Sequence, residues 1–167
     1  MMYDNYKDII DTSLVFLKKI NITTPLVCDH ICYRVTSLEE YETAKAEALK
    51  ISDLITETMV RGRPICIFKF FKPIQYEGLS ISCLELPAPK PGSLYKKGFE
   101  HLEFVVKDLQ VLIDQNAGFN FDISGINRAI NPEIALAVSE NYNLKFHPLH
   151  ILDVIEIEKN QNITEVN

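Results

Sequence analysis

Apolar residues recur along the chain with two different periods, and the changes of period mark out its elements. Residues 3–20 carry Ile9, Ile10, Leu14, Phe16, Leu17 and Ile20 at helical spacing, which predicts a lead helix. Pro25 then opens a strand-like run over 26–35. Ser37 with Glu40 three residues later is a capping-box pattern, and it predicts a helix over 37–51 with Leu38, Tyr41, Ala44 and Leu49 on its buried face. "DLITETMV" reads as a short strand, and "RGRPICIFKFF" as a strand opened by Gly62 and Pro64. "KPIQYEG" reads as a turn leading into the strand "LSISCLELP", 79–87.

Residues 88–98, "APKPGSLYKKG", have the Pro and Gly content of a linker, and the order of elements then repeats. A strand is expected over 99–106. A helix with Leu109, Leu112 and Ile113 follows over 107–118 and is stopped by Gly118. Strands are expected over 130–141 and 144–151, with a polar, frayed tail after them. Two such modules, each exposing one sheet face, pair naturally around a cavity. The predicted fold is α+β, with paired βαβββ modules forming a curved mixed sheet around a central cavity behind an N-terminal helix. The expected divisions of this single domain are a helical lead (1–24), module 1 (25–90), module 2 (91–155) and a tail (156–167).

Composition narrows the function more than the fold. The chain has 167 residues, 47% hydrophobic and 24% charged, ordinary for a globular protein that needs no disulfide staple. A net charge of −6 disfavours a nucleic-acid partner. No apolar run approaches the roughly 18 residues that would suggest a membrane span. The acids and tyrosines of "MMYDNYKDII" are unlike a signal peptide, so a cytoplasmic protein with reduced thiols is expected. Cys28, Cys32, Cys66 and Cys83 lie in apolar strand-like runs and lack the paired spacing of a cysteine zinc site.

The candidate chemistry lies on the strands. "DHICYRV" (29–35) and "EHLEFVV" (100–106) both run acid, His, aliphatic, and each begins a module. Alternation places Cys28, His30, Cys32 and Arg34 on one face, and His101 with Glu103 on another. The last strand of each half carries Glu85 before Pro87 and His147 before Pro148. His30, Glu85, His101 and His147 thus form a candidate ligand set for a divalent metal: Zn, Mn, Fe, Co or Ni. Glu103 is a candidate proton-transfer group, orienter or ligand. Arg34 is the candidate anchor for an anionic substrate. Arg63 reads as a turn residue, Lys69 as a snorkelling one and His150 as a surface one. Tyr95 is a candidate cover for the cavity.

Taken in order and spacing, "DHICYRV", "RGRPICIFKF", "LELPAPK", "GFEHLEFVV", "NPEIALAV" and "LKFHP" resemble the YecM family of small bacterial proteins over residues 25–152. That resemblance implies the vicinal-oxygen-chelate superfamily, which includes glyoxalases, extradiol dioxygenases and bleomycin-resistance proteins. It implies metal ligands on the first and last strands of each module, here His30, Glu85, His101 and His147. A Glu is more usual at the last of these positions. The expected function is a metal-dependent enzyme of the vicinal-oxygen-chelate type, an isomerase, lyase or oxygenase acting on a small oxygen-rich molecule. The alternative is a metal-free sequestering module of the bleomycin-resistance kind.

Overall fold

Ser37 and Glu40 act as their spacing predicts. The Ser37 hydroxyl accepts the Glu40 N–H (3.1 Å), and the Glu40 carboxylate reaches back to the Thr36 N–H (2.8 Å). In this computed structural model, which describes residues 3–22, 26–92, 96–161 and 165–166, that cap starts the second of four helices. The chain order is α1 (Lys7–Leu17), β1 (Val27–Arg34), α2 (Leu38–Ala48), β2 (Ser52–Val60), β3 (Arg63–Tyr76) and β4 (Leu79–Pro87). There follow β5 (Gly98–Val105), α3 (Leu109–Gln115), β6 (Asp122–Gly125), β7 (Glu133–Ala137), β8 (Asn143–His147), α4 (Ile151–Asn160) and β9 (Glu165–Val166). Pro25 and Tyr95 lie outside the described residues.

The strands form one sheet in the order β6-β7-β8-β5-β1-β4-β3-β2-β9. Each half has the same internal logic: its first and last strands are parallel neighbours, β1 with β4 and β5 with β8. The halves join where β1 runs antiparallel to β5. This is the curved mixed sheet of paired modules that the repeat predicts.

One sheet face buries Ile31, Phe68, Leu84, Leu102, Phe104 and Phe146 against Ile9, Ile10, Tyr41, Ala44, Leu109 and Leu112 of the helices. Each buried Leu, Ile or Phe among these contributes about 1.5–3 kcal/mol through loss of apolar contact with water. Leu38 and Leu49, expected on the buried face of α2, are instead 64% and 48% exposed; Ala48 joins Tyr41 and Ala44 there.

Other expectations also differ from the structure. Residues 72–76 continue β3, and the tight turn is Glu77–Gly78, both at positive φ (49° and 83°). Pro73 is tolerated because the β3–β4 ladder is irregular between Lys69 and Ile74. The short strand β6 has no apolar pattern of its own and is defined by its partner β7. The strand expected over 144–151 stops at His147, before Pro148. The frayed tail is replaced through Asn160 by α4, whose Ile151, Leu152 and Ile155 pack on Ile65, Ile67 and Cys83, on the opposite sheet face from the main core. His150 is half-buried and caps α4, its Nδ1 accepting the Leu152 N–H at 3.2 Å.

Candidate metal centre

The acid before each histidine is an extra residue in a bulge. Along the β1–β5 seam His30 opposes Glu103, Ile31 opposes Leu102 and Cys32 opposes His101, but the ladder shifts by one on either side of this stretch. One shift leaves Asp29 without an opposing residue, and the other leaves Glu100 without one. The shift at Asp29 also changes the predicted faces. Cys28 turns into the helix-side core, and the Asp29 carboxylate turns to the histidine side.

Each bulged acid holds the histidine after it. His30 Nδ1 donates to Asp29 Oδ1 (3.0 Å), and His101 Nδ1 donates to Glu100 Oε2 (2.9 Å). A carboxylate on Nδ1 keeps the proton there and leaves the Nε2 lone pair facing the cavity. Arg34 Nε donates to the same Glu100 oxygen at 2.6 Å, so the expected substrate anchor is committed to orienting His101. The Asp29 carboxylate also accepts the Ile151 N–H at the start of α4 (2.7 Å).

The two Nε2 atoms point at carboxylates. His30 Nε2 lies 3.6 Å from Glu85 and 3.4 Å from Glu103, and His101 Nε2 lies 3.0 Å from Glu103. His30, Glu85, His101 and Glu103 offer ligand atoms all within 4.8 Å of one another. Both Nε2 atoms are buried and make no hydrogen bond. A lone pair facing a carboxylate oxygen at 3.0 Å requires a positive charge between them, either a proton or a metal ion. Burial opposes a charged His30, but Glu103 and Asp29 outweigh it and hold its pKa well above the ordinary value. Burial likewise pushes Glu103 up, and Lys145, His30 and His101 more than reverse this. Glu100 is held down to about 2, because His101 and Arg34 outweigh its burial.

Of the predicted ligands, His30, Glu85 and His101 come together, and Glu103 joins them. His147 does not enter this group; it gathers instead with Asp29 and His30. Its Nδ1 lies 2.7 Å from Asn131 Nδ2, and Asn131 Oδ1 accepts the Leu149 N–H at 2.9 Å. That second bond fixes the amide, so its NH2 donates and His147 Nδ1 must accept. The other ring nitrogen, Nε2, which carries the proton of the neutral ring, lies 3.4 Å from Asp29 and 3.5 Å from Glu103 and is buried without a hydrogen bond.

Strand register explains the difference. Glu85 opposes Cys32, two residues past His30; in module 2 the residue opposing Glu103, two past His101, is Lys145. Lys145 therefore holds the place that corresponds to Glu85, and its Nζ donates to Glu103 Oε1 at 2.9 Å. His147 lies two residues farther on. Counting from the prolines hid this shift, and alternation around Glu103 was the available signal for its place in the set. Cys32 Sγ lies 3.3 Å from Glu85 Oε1, and all four cysteines are buried and free.

A family profile described as YecM protein matches residues 1–120. The chain belongs to the YecM family. It is 30% identical over 156 residues to Protein YecM of Escherichia coli (strain K12), covering 84% of this chain and 82% of that one. It is 24% identical over 153 residues to an uncharacterized protein of Haemophilus influenzae, covering 80% of each. Among solved structures, one described as Protein EC4020 aligns with a TM-score of 0.72 and 29% identity over 93% of this chain and 94% of that one. Methylmalonyl-CoA epimerase of Streptomyces coelicolor aligns at 0.53 with 13% identity, over 74% and 98%, a likeness of fold alone. This YecM-family chain has the vicinal-oxygen-chelate fold. The matched segment contains His30, Glu85, His101 and Glu103; Lys145 and His147 lie beyond it. Among the described residues no helix is long and apolar enough to cross a membrane.

Proposed function

We propose that the protein is a metal-dependent enzyme of the vicinal-oxygen-chelate type, with one divalent ion held by His30, Glu85, His101 and Glu103. The observation that carries this reading is the pair of buried imidazole Nε2 atoms, each made a lone-pair donor by a carboxylate behind it and each facing further carboxylates. Two imidazoles and two carboxylates suit Zn, Mn, Fe, Co or Ni. When bound, such an ion supplies a Lewis acid that polarises two neighbouring oxygens of a small substrate.

The chain's own residues do the rest. Asp29 and Glu100 fix the tautomers of His30 and His101, and Arg34 steadies Glu100. Lys145 offers an ammonium beside Glu103, next to the cavity, where negative charge on a substrate oxygen is stabilised. Glu103 has two oxygens: one accepts Lys145, and the other can take part in proton transfer.

The test is elemental analysis of untagged protein purified without chelators. One transition metal per chain, lost when His30 and His101 are both replaced by Ala, supports the proposal. Absence of metal after reconstitution with each of the five ions overturns it and favours the sequestering module.

A further inference from the structure

Beside the metal cluster lies a cavity of about 330 Å³, within the range of small-ligand pockets. Its lining has three kinds of surface. His30, Glu85 and Glu103 stand at one end. Ile65 and Ile67 of β3 with Ile151, Val154 and Ile155 of α4 form an apolar wall. The third surface is cationic, and it is unexpected in a chain of net charge −6. Arg34, Arg61, Arg63, Arg128 and Lys145 line the cavity against four carboxylates, Glu85, Glu103, Glu133 and Glu158. Counting only the arginines, the lysine and the carboxylates, the lining carries one surplus positive charge.

The cations are not equivalent. Arg34 is held by Glu100, Arg128 by Glu133 at 3.1 Å, and Lys145 by Glu103. Arg61 forms no ion pair among the described residues. It sits at the tip of the β2–β3 hairpin, in a two-residue turn with Gly62, both at positive φ (49° and 77°). Arg63 is two residues on, across from Val60, and its Nη1 donates to the Ala88 carbonyl at 2.9 Å. That carbonyl lies three residues past Glu85, about 10 Å along the strand. Arg63 thus lies toward the far end of the cavity from Glu85, past Ile65 and Ile67, and Arg61, which also lines the cavity, sits two residues before it in the hairpin turn.

We infer that the substrate is a small molecule anionic at both ends: an oxygen-chelating head at the metal, a short apolar body against the isoleucines, and a second compact anionic group, carboxylate or phosphate, received by Arg61 and Arg63. This rests on the metal-centre reading for the head but not for the tail.

The experiment compares ligands that differ only at the tail. 2-Oxoglutarate and 2-oxopentanoate share a 2-oxo-acid head and chain length, and differ by one carboxylate against a methyl group. Both are titrated calorimetrically, at fixed ionic strength, into metal-loaded and chelator-treated protein, with metal content measured on the same samples. Phosphonooxypyruvate, with a phosphate tail, separates the two anion classes. The expected result is 2-oxoglutarate or phosphonooxypyruvate binding at least about tenfold more tightly than 2-oxopentanoate, the scale of a charge-assisted hydrogen bond. Arg61→Ala, an exposed turn variant, removes that preference, and Arg61→Lys restores part of it. Equal binding of 2-oxoglutarate, phosphonooxypyruvate and 2-oxopentanoate to metal-loaded protein overturns the tail site and leaves the metal centre standing. Binding of none of the three acids also overturns the tail site, as does a preference that survives in Arg61→Ala. A protein that takes up no metal yet binds 2-oxoglutarate or phosphonooxypyruvate in an Arg61-dependent way keeps the tail site and removes the metal centre.

Discussion

Glu85 and Lys145 occupy corresponding places in the two modules and carry opposite charges. Each opposes, across a parallel ladder, the residue two past a cavity-facing histidine. Where repetition would have supplied a second carboxylate, the chain places an ammonium 2.9 Å from Glu103. Such a cation would compete with the proposed metal ion for the same carboxylate oxygen. Lys145→Gln is therefore expected to tighten metal binding, by about tenfold from loss of like-charge repulsion at the partly buried site. Competition against a chromophoric chelator measures it. Weaker binding in the variant would mean that Lys145 instead holds Glu103 in its ligating position.

The carboxylates behind the histidines make a second expectation. Asp29→Asn and Glu100→Gln each remove a charged acceptor from the Nδ1 of a proposed metal ligand. Metal affinity should fall by about 10–100-fold in each, with circular dichroism unchanged. Loss of folded signal in Glu100→Gln would assign Glu100 to stability, since its charge also meets Arg34.

His147 and His101 separate under the same substitution. His101→Gln removes a lone pair aimed at the cluster, and metal stoichiometry should fall. His147→Gln removes a ring locked in place by Asn131, and stoichiometry should hold. Equal losses in both would bring His147 back as a ligand.

Glu40 links the first turn of α2 to Lys97, next to β5, at 2.8 Å. The Lys97 ammonium, then the Thr36 N–H and hydroxyl, lower its pKa from about 4.5 to about 2. A carboxyl lowered in the folded state stabilises fully above its unfolded value, and the contribution fades as pH falls from about 4.5 toward 2. Glu40→Gln should therefore unfold at lower urea than the parent at pH 7, with the gap closing through that window. A constant gap would show that the carboxylate charge is not what stabilises.

Ile155 tests whether α4 belongs to the folded unit. It is 4% exposed and packs with Ile67 and Cys83. Ile155→Ala should cost about 2–4 kcal/mol in urea unfolding. A cost near zero would mean that α4 detaches readily.

The parts legible in the sequence were those where local pattern and tertiary placement agree. Ser37 and Glu40 start a helix by local hydrogen bonds, and alternating apolar residues gave β1, β4 and β5. His30, Glu85 and His101 were readable from their places on those strands. Two features escaped because partners set them. β6 exists only against β7. The bulges at Asp29 and Glu100 are properties of the seam between two strands, invisible along either one, and they moved Cys28 and Asp29 to unexpected faces. Reading "LKFHPLHI" as a single strand through Pro148 hid both the end of β8 and the Ile151, Val154, Ile155 spacing of α4.

That last helix lies against the cavity side of module 1, while the facing module 2 wall carries Arg128, Asn131, Glu133 and Lys145. A near-symmetric scaffold is thereby made handed. The wall from β2, β3 and α4 presents isoleucine and valine side chains beside Thr56, Thr58 and Glu158, so the two faces of a flat molecule between the walls would meet different surroundings.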